Sequence, residues 1–324
     1  MESGFETRID LTKITEGVNK IKNEIKKVIV GQDEMIELML AAVISNGHVL
    51  LEGVPGIAKT LTAKLLARTM SVDFSRIQFT PDLMPSDIVG TSVFNMKKSE
   101  FEFNRGPVFS NFILIDEINR SPAKTQSALF EVMEERQVTV DGNTYSMSAP
   151  FLVFATQNPI EHEGTYRLPE AQLDRFLFKL NIGYPSLEEE TQILLNQQNL
   201  TLTETIKNVK PVVSSEEIIL YQQTARNIII DIKLVEYIAK IVNSTRNHKS
   251  FYLGGSPRAS LSIMQGAKTI AALRGRDFVT PEDIKFISIP AMRHRVLLTP
   301  EKEMEGVKAE DMIKLIVEKI EVPR

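Results

Sequence analysis

The 324-residue chain is 43% hydrophobic and 25% charged with no segment of biased composition, the make-up of a globular protein long enough for two ordinary domains. It has no cysteine, which excludes a disulfide framework, a thiolate metal site and a thiol nucleophile; His48, His162, His248 and His294 are too scattered to give a metal-ligand spacing. The formal net charge of −4 argues against an extended basic surface made for nucleic acid.

The opening "MESGFETRIDLTK" lacks the charged start and apolar core of a signal peptide, and no apolar run approaches bilayer length, so a cytoplasmic location is expected. Val18, Ile21, Ile25 and Val28 recur at helical spacing, which predicts an amphipathic helix ending near Val30-Gly31-Gln32; Met35 to Ala42 predicts a second. His48 to Leu51 is a short buried strand feeding the loop "GVPGIAKT", and Leu61, Leu65 and Leu66 mark the buried face of a helix begun at Lys59-Thr60. Further strands are expected over Arg76 to Thr80, Phe112 to Ile115 and Phe151 to Ala155. Strands alternating with helices point to an α/β fold with a central, mostly parallel sheet.

Two hairpins interrupt this rhythm. Phe101 and Phe103 alternate with polar residues beyond a Lys97-Lys98-Ser99 turn, and Val138 to Val140 run into Asp141-Gly142, a strong hairpin signal. Taken alone, each reads as surface decoration. Past "NIGYPSLEEE" the pattern turns helical, with helices expected over 189–199, 215–227, 232–246, 257–274 and 281–292. Thr280-Pro281-Glu282-Asp283 is a well-formed helix start. The expected division is an α/β core over 1–185 and a smaller all-α domain over 186–324.

The chemistry begins at Lys59 and Thr60. Backbone N–H groups of a loop entering a helix form an anion cradle, and the helix dipole favours negative charge there. Lys59 supplies a mobile cation for the β- and γ-phosphates, and the Thr60 hydroxyl a ligand for Mg²⁺. The strict pattern asks for glycine where Ala58 stands. Gly53 and Gly56 remain for the turn and Pro55 stiffens it. Alanine fits if its φ stays negative and its methyl points away from the phosphates, so Ala58 is expected at negative φ and Ala58→Gly is expected to change affinity only modestly.

Phe112 to Ile115 delivers Asp116 and Glu117 at a strand's C-terminal end, the edge where open α/β sheets bind ligands. An isolated Asp-Glu pair is commonly a solvated loop start. Beside the glycine loop, Asp116 becomes a metal carboxylate and Glu117 a group that polarises the attacking water. "FLVFATQNP" ends an apolar strand in Gln157-Asn158, where Asn158 either caps a turn or orients the lytic water. Arg175 closes a short helix, where a cation complements the dipole. Arg258, in "GGSPRAS", instead places a cation at the positive end of a helix, which an arriving phosphate would explain.

These elements in this order resemble the AAA+ ATPases, and specifically the MoxR family. The resemblance is carried by "GVPGIAKT", "LIDEINRSPAKTQSALFEVMEE", "FATQNPIEHEGTYRLPEAQLDRF" and "GGSPRASL" with "LRGRDFVTPEDI", in register from about Val28 to Val296. It implies a P-loop core with a five-stranded sheet, two hairpin inserts and a C-terminal α-helical lid. It also implies ATP and Mg²⁺ as cofactors. Val30, Gly31 and Gln32 would pack against adenine, and Gly53, Val54, Pro55, Gly56, Ile57, Ala58, Lys59, Thr60 and Leu61 would form Walker A. Asp116 and Glu117 would form Walker B, Asn158 sensor 1 and Arg258 sensor 2. Arg175 would be the arginine finger, with Arg167 competing for that role, and a finger implies a ring, usually a hexamer. His162 departs from the family pattern, which has glutamine there. The hairpins would face a pore or substrate.

The function so implied is a ring-forming, ATP-hydrolysing remodelling factor acting on a protein partner, in complex assembly or metal insertion, commonly beside a von Willebrand A-domain protein. A nucleic-acid motor is the alternative kept open by Lys97-Lys98 and Arg293-His294-Arg295; a low-turnover nucleotide-dependent scaffold is the other.

Overall fold

The computed structural model describes residues 9–54, 56–158, 166, 168–199 and 202–323. The chain folds as two compact units, Ile21–Ile219 and a second that joins the segment up to Lys20 with Leu220 onward. The boundary differs from the expected 185/186, and hydrogen bonds give the reason. Arg68 donates to the carbonyls of Lys207 and Val209 at 3.0 and 2.7 Å. The N–H groups of Val212 and Val213 both donate to the Thr69 carbonyl. Residues 207–213 are thereby tied to the α/β unit. At the other end, Gly17 lies so close to Tyr221 that a Cβ would fall 2.3 Å from its hydroxyl, so the N-terminal segment packs with the helical unit.

In the α/β unit the elements run α1 (Thr12–Lys26, which crosses the unit boundary), α2 (Asp33–Ile44), β1 (Val49–Glu52), α3 (Lys59–Thr69), β2 (Phe74–Gln78) and α4 (Pro85–Val89). The hairpin β3 (Gly90–Asn95) and β4 (Glu100–Arg105) follows, then β5 (Phe112–Asp116) and α5 (Ala123–Glu135). A second hairpin, β6 (Gln137–Val140) and β7 (Asn143–Ser146), precedes β8 (Leu152–Gln157), α6 (Glu170–Leu173), β9 (Phe178–Asn181), α7 (Leu187–Asn199) and α8 (Leu202–Lys207).

Five strands form one parallel sheet in the order β2-β5-β8-β1-β9, as the resemblance implies. Its central strands are buried on both faces, so β5 and β8 read as continuous apolar runs rather than alternating ones. Ile77, Ile113, Ile115, Val153 and Ala155 share a core with Leu129, Phe130 and Met133 of α5. Phe112 and Phe154 meet edge to face at 5.7 Å. The register sets Gln78 beside Asp116 and Glu52 beside Gln157, which gathers polar side chains at the C-terminal ends of the strands.

Both hairpins are present, the second turning through Asp141 and Gly142 at positive φ. They are bound to each other: the Ser92 hydroxyl donates to Asp141, and Phe103 stacks on Tyr145 at 4.7 Å.

The helical unit contains α9 (Ser215–Arg226, crossing the second boundary), α10 (Ile232–Arg246), β10 (Phe251–Leu253), α11 (Pro257–Leu273), α12 (Pro281–Met292), β11 (Leu297–Leu298), α13 (Pro300–Met304) and α14 (Ala309–Lys319). α10, α11, α12 and α14 pack on one another around Tyr237, Ile263, Ile270, Ile287 and Ile313. At the start of α12 the fully buried Asp283 accepts from the Thr280 N–H at 2.9 Å and from the Arg276 guanidinium at 2.6 and 2.7 Å. A capping carboxylate and a paired buried charge are thus the same group, which offsets its desolvation. Among the described residues no helix is long and apolar enough to cross a membrane.

Candidate nucleotide site

A cavity of about 510 Å³ opens in the α/β unit at the C-terminal edge of the sheet. Val30, Gln32, Gly56, Ile57, Ala58, Lys59, Thr60 and Leu61 line it, and so do Asp116, Glu117 and Asn158. Gly31, Gly53 and Val54 are not among its lining residues, and Pro55 lies outside the described residues. Gly53 nevertheless shapes the loop, because a Cβ there would fall 2.5 Å from Ile57 Cδ1 and 2.6 Å from the Ile182 carbonyl oxygen. Gly31 has φ +66°, and a Cβ on it would strike the Glu189 carboxylate. The Gln32 side chain donates to the Ile57 carbonyl at 3.4 Å, a long bond that links the segment before α2 to the glycine loop.

Lys59 begins α3, and its ammonium donates to the Gly53 carbonyl. Burial pulls this ammonium below the ordinary lysine value, with Asp116, Glu117 and Glu52 pulling the other way. An anion in the cavity would oppose the burial effect further.

Asp116, buried at the end of β5, accepts at both oxygens. Oδ1 takes the hydroxyls of Thr60 at 3.3 Å and Thr156 at 3.2 Å; Oδ2 takes the Arg76 guanidinium Nε at 2.5 Å. Glu117 has φ +57°, its N–H donates to the Thr156 hydroxyl at 3.0 Å, and its Oε2 accepts from Gln78 at 3.0 Å and Arg120 at 2.8 Å. The donor set of a hydroxyl beside a buried carboxylate, with a lysine and a helix N-terminus facing the same space, fits a nucleotide carrying a divalent cation.

One expectation is overturned. Ala58 has φ +62° and ψ +14°, in the left-handed region, and not the negative φ anticipated. The reason is local. Ala58 is the residue before α3, where its carbonyl already accepts the Thr62 N–H at 2.9 Å and the Thr62 hydroxyl at 3.0 Å. A left-handed residue here turns the loop into that first helical bond.

The structure does not bring all expected residues to the cavity. Arg175 lines a separate recess with Ser127, Phe130, Glu131, Glu134, Glu135 and Gln172, where its guanidinium donates to the Phe130 carbonyl and lies 3.9 Å from Glu134. Arg258 belongs to the helical unit, exposed on the first turn of α11. Arg167 and His162 lie outside the described residues. Sequence reasoning missed Arg76, Gln78, Thr156, Ile193 and Gln197, which also line the cavity. For Arg76 and Gln78 there was a signal: polar residues two apart near the end of a strand share a face and point at the ligand edge.

The description "ATPase family associated with various cellular activities (AAA)" matches residues 48–178, and "AAA lid domain" matches residues 243–316. An uncharacterized protein, YeaC of Bacillus subtilis, is 48% identical over 94% of this chain and 95% of its own length. Chaperone MoxR1 of Mycobacterium tuberculosis is 46% identical over 93% of this chain and 81% of its own. A crystal structure of a candidate ATPase from Cytophaga hutchinsonii superposes with a TM-score of 0.88 at 43% identity, covering 96% of this chain and 97% of that one. The chain belongs to the MoxR family of AAA+ ATPases.

Proposed function

We propose that the chain binds ATP with Mg²⁺ in this cavity, hydrolyses it within a homo-oligomeric ring, and uses the cycle to remodel a protein client. The observation that carries the proposal is the convergence of Lys59, Thr60, Asp116, Glu117 and Asn158 on one cavity. Lys59 and the start of α3 would hold the phosphates, and Thr60 with Asp116 would hold the cation, whose charge offsets the negative charge of the transferring phosphoryl group. Gln78 and Arg120 restrain Glu117 at Oε2, which leaves Oε1 to accept the proton of an attacking water. The sensor roles of Asn158 and Arg258, the finger role of Arg175 and a six-membered ring belong to the same proposal. So do a cytoplasmic location and a client met in complex assembly or metal insertion, alone or beside a von Willebrand A-domain partner.

Glu117→Gln tests it. The variant keeps the shape of the side chain but cannot take a proton, so ATP affinity should hold while turnover falls by roughly 100-fold or more. Calorimetry and phosphate release measure the two. An unchanged turnover would remove the hydrolytic mechanism. The same variant, loaded with ATP, should retain a specific protein in a pull-down; retention of nucleic acid instead would favour a motor.

A further inference from the structure

Among the described residues, Arg76 is the one cation lining the cavity whose position the phosphate cradle does not explain. It sits on β2, an edge strand of the sheet, with its side chain 57% exposed and its Nε 2.5 Å from Asp116 Oδ2. The other carboxylate oxygen has a different set of partners. The Thr156 hydroxyl receives the Glu117 N–H, so its own proton is committed to Asp116 Oδ1, and Thr60 donates to the same oxygen. The two oxygens are therefore inequivalent: Oδ1 faces the hydroxyl side and Oδ2 is taken by the guanidinium.

We infer that Arg76 is a positioning residue for the metal carboxylate, holding Asp116 by Oδ2 so that Oδ1, beside the Thr60 hydroxyl, is the oxygen presented to a divalent cation. The terminal torsion of an aspartate is broad and nearly two-fold, so nothing intrinsic to the side chain selects one oxygen. A charge-assisted bond at Oδ2 selects it from outside. The arginine also offsets the repulsion between Asp116 and Glu117, which has its own arginine in Arg120. Each carboxylate of the pair thus has a guanidinium beside it, and that of Asp116 acts on the cation site. This inference rests on the proposed metal–nucleotide use of the cavity.

The test measures binding and not turnover. Affinity for a fluorescent ADP analogue is measured in EDTA and in Mg²⁺, and Mn²⁺ affinity of the ADP-loaded protein is read from the loss of the free-ion electron paramagnetic resonance signal. In Arg76→Ala, Mn²⁺ affinity and the Mg²⁺-dependent gain in ADP affinity should fall about 10- to 100-fold, as for other residues that orient a metal ligand. Arg76→Lys, which can still hold Oδ2, should recover most of that loss, and Arg76→Met none of it. Equal losses in EDTA and Mg²⁺ would make Arg76 a direct phosphate ligand and overturn the inference, as would no loss at all. If the unsubstituted protein shows no metal-dependent gain, the metal–nucleotide reading fails, and the inference with it. Thermal melts of all three variants check that the fold is retained.

Discussion

At the scale of single residues, Ala58 carries the most direct prediction. A non-glycine residue in the left-handed region costs about 1–2 kcal/mol, because Cβ crowds the following carbonyl oxygen. Replacing it with glycine gives back about 0.4–1 kcal/mol through the larger freedom of the unfolded chain. The strain is the larger of the two, so Ala58→Gly should stabilise the protein by about 0.5–1 kcal/mol, seen as a higher urea midpoint at unchanged slope. A lower midpoint would mean that the methyl group makes packing contacts worth more than the strain. Lys59, Thr60, Asp116 and Glu117 were legible because each lies in a local pattern, a glycine loop or the end of an apolar run. The φ of Ala58 was not, since the loop's path into α3 depends on which carbonyl the first helical N–H finds. Arg76 was hidden for another reason: its partner is 40 residues away, and the pairing of β2 with β5 is a matter of register.

Among the elements, His48 shows how one side chain joins three. It stands at the head of β1, fully buried, with Nε2 donating to the Met133 carbonyl of α5 at 3.1 Å and Nδ1 accepting the Val153 N–H of β8 at 3.0 Å. That pattern needs the neutral ring, and burial lowers its pKa to about 4, with Arg136 adding to the effect. Between about 6.5 and 4 the unfolded chain is therefore protonated while the folded one is not. Stability from this group is complete above pH 6.5, declines as pH falls to about 4 and is flat below. The ceiling is about 3 kcal/mol for a shift of this size. His48→Gln does not titrate, so it should be less stable than the parent at pH 7.5, and the gap should narrow toward pH 4 in urea melts. A gap independent of pH would assign the loss to packing. Around His48, β1, β5 and β8 were readable as apolar runs because burial on both faces marks every residue, whereas α5, which supplies Met133, was not among the expected helices. The short elements α8, α13, β10 and β11 were not readable, since two to six residues are too few for a period to repeat and stand out.

For the whole molecule the proposed ring would make one subunit's chemistry depend on another's. Arg175 lies in its own recess, apart from the nucleotide cavity of the same α/β unit, and is held by the carbonyl of Phe130. An arginine that served its own subunit's phosphates would line that subunit's cavity; one that serves a neighbour has no need to. In a ring with head-to-tail contacts each subunit offers one cavity and one finger to different neighbours. Arg175→Ala should then bind ATP normally and turn over slowly, because only the neighbour loses its cation, and Lys59→Ala should fail at binding in its own cavity. Mixed in equal amounts, the two impaired variants should regain turnover. A site is competent when an Arg175→Ala subunit, with its intact cavity, is served by a Lys59→Ala subunit, with its intact finger. Random mixing makes that roughly a quarter of all sites. Phosphate release from the mixture, with assembly followed by light scattering, measures it. Mixtures as inactive as their parts, in rings shown to have exchanged subunits, would place the finger elsewhere, and Arg167 would be the next substitution to make.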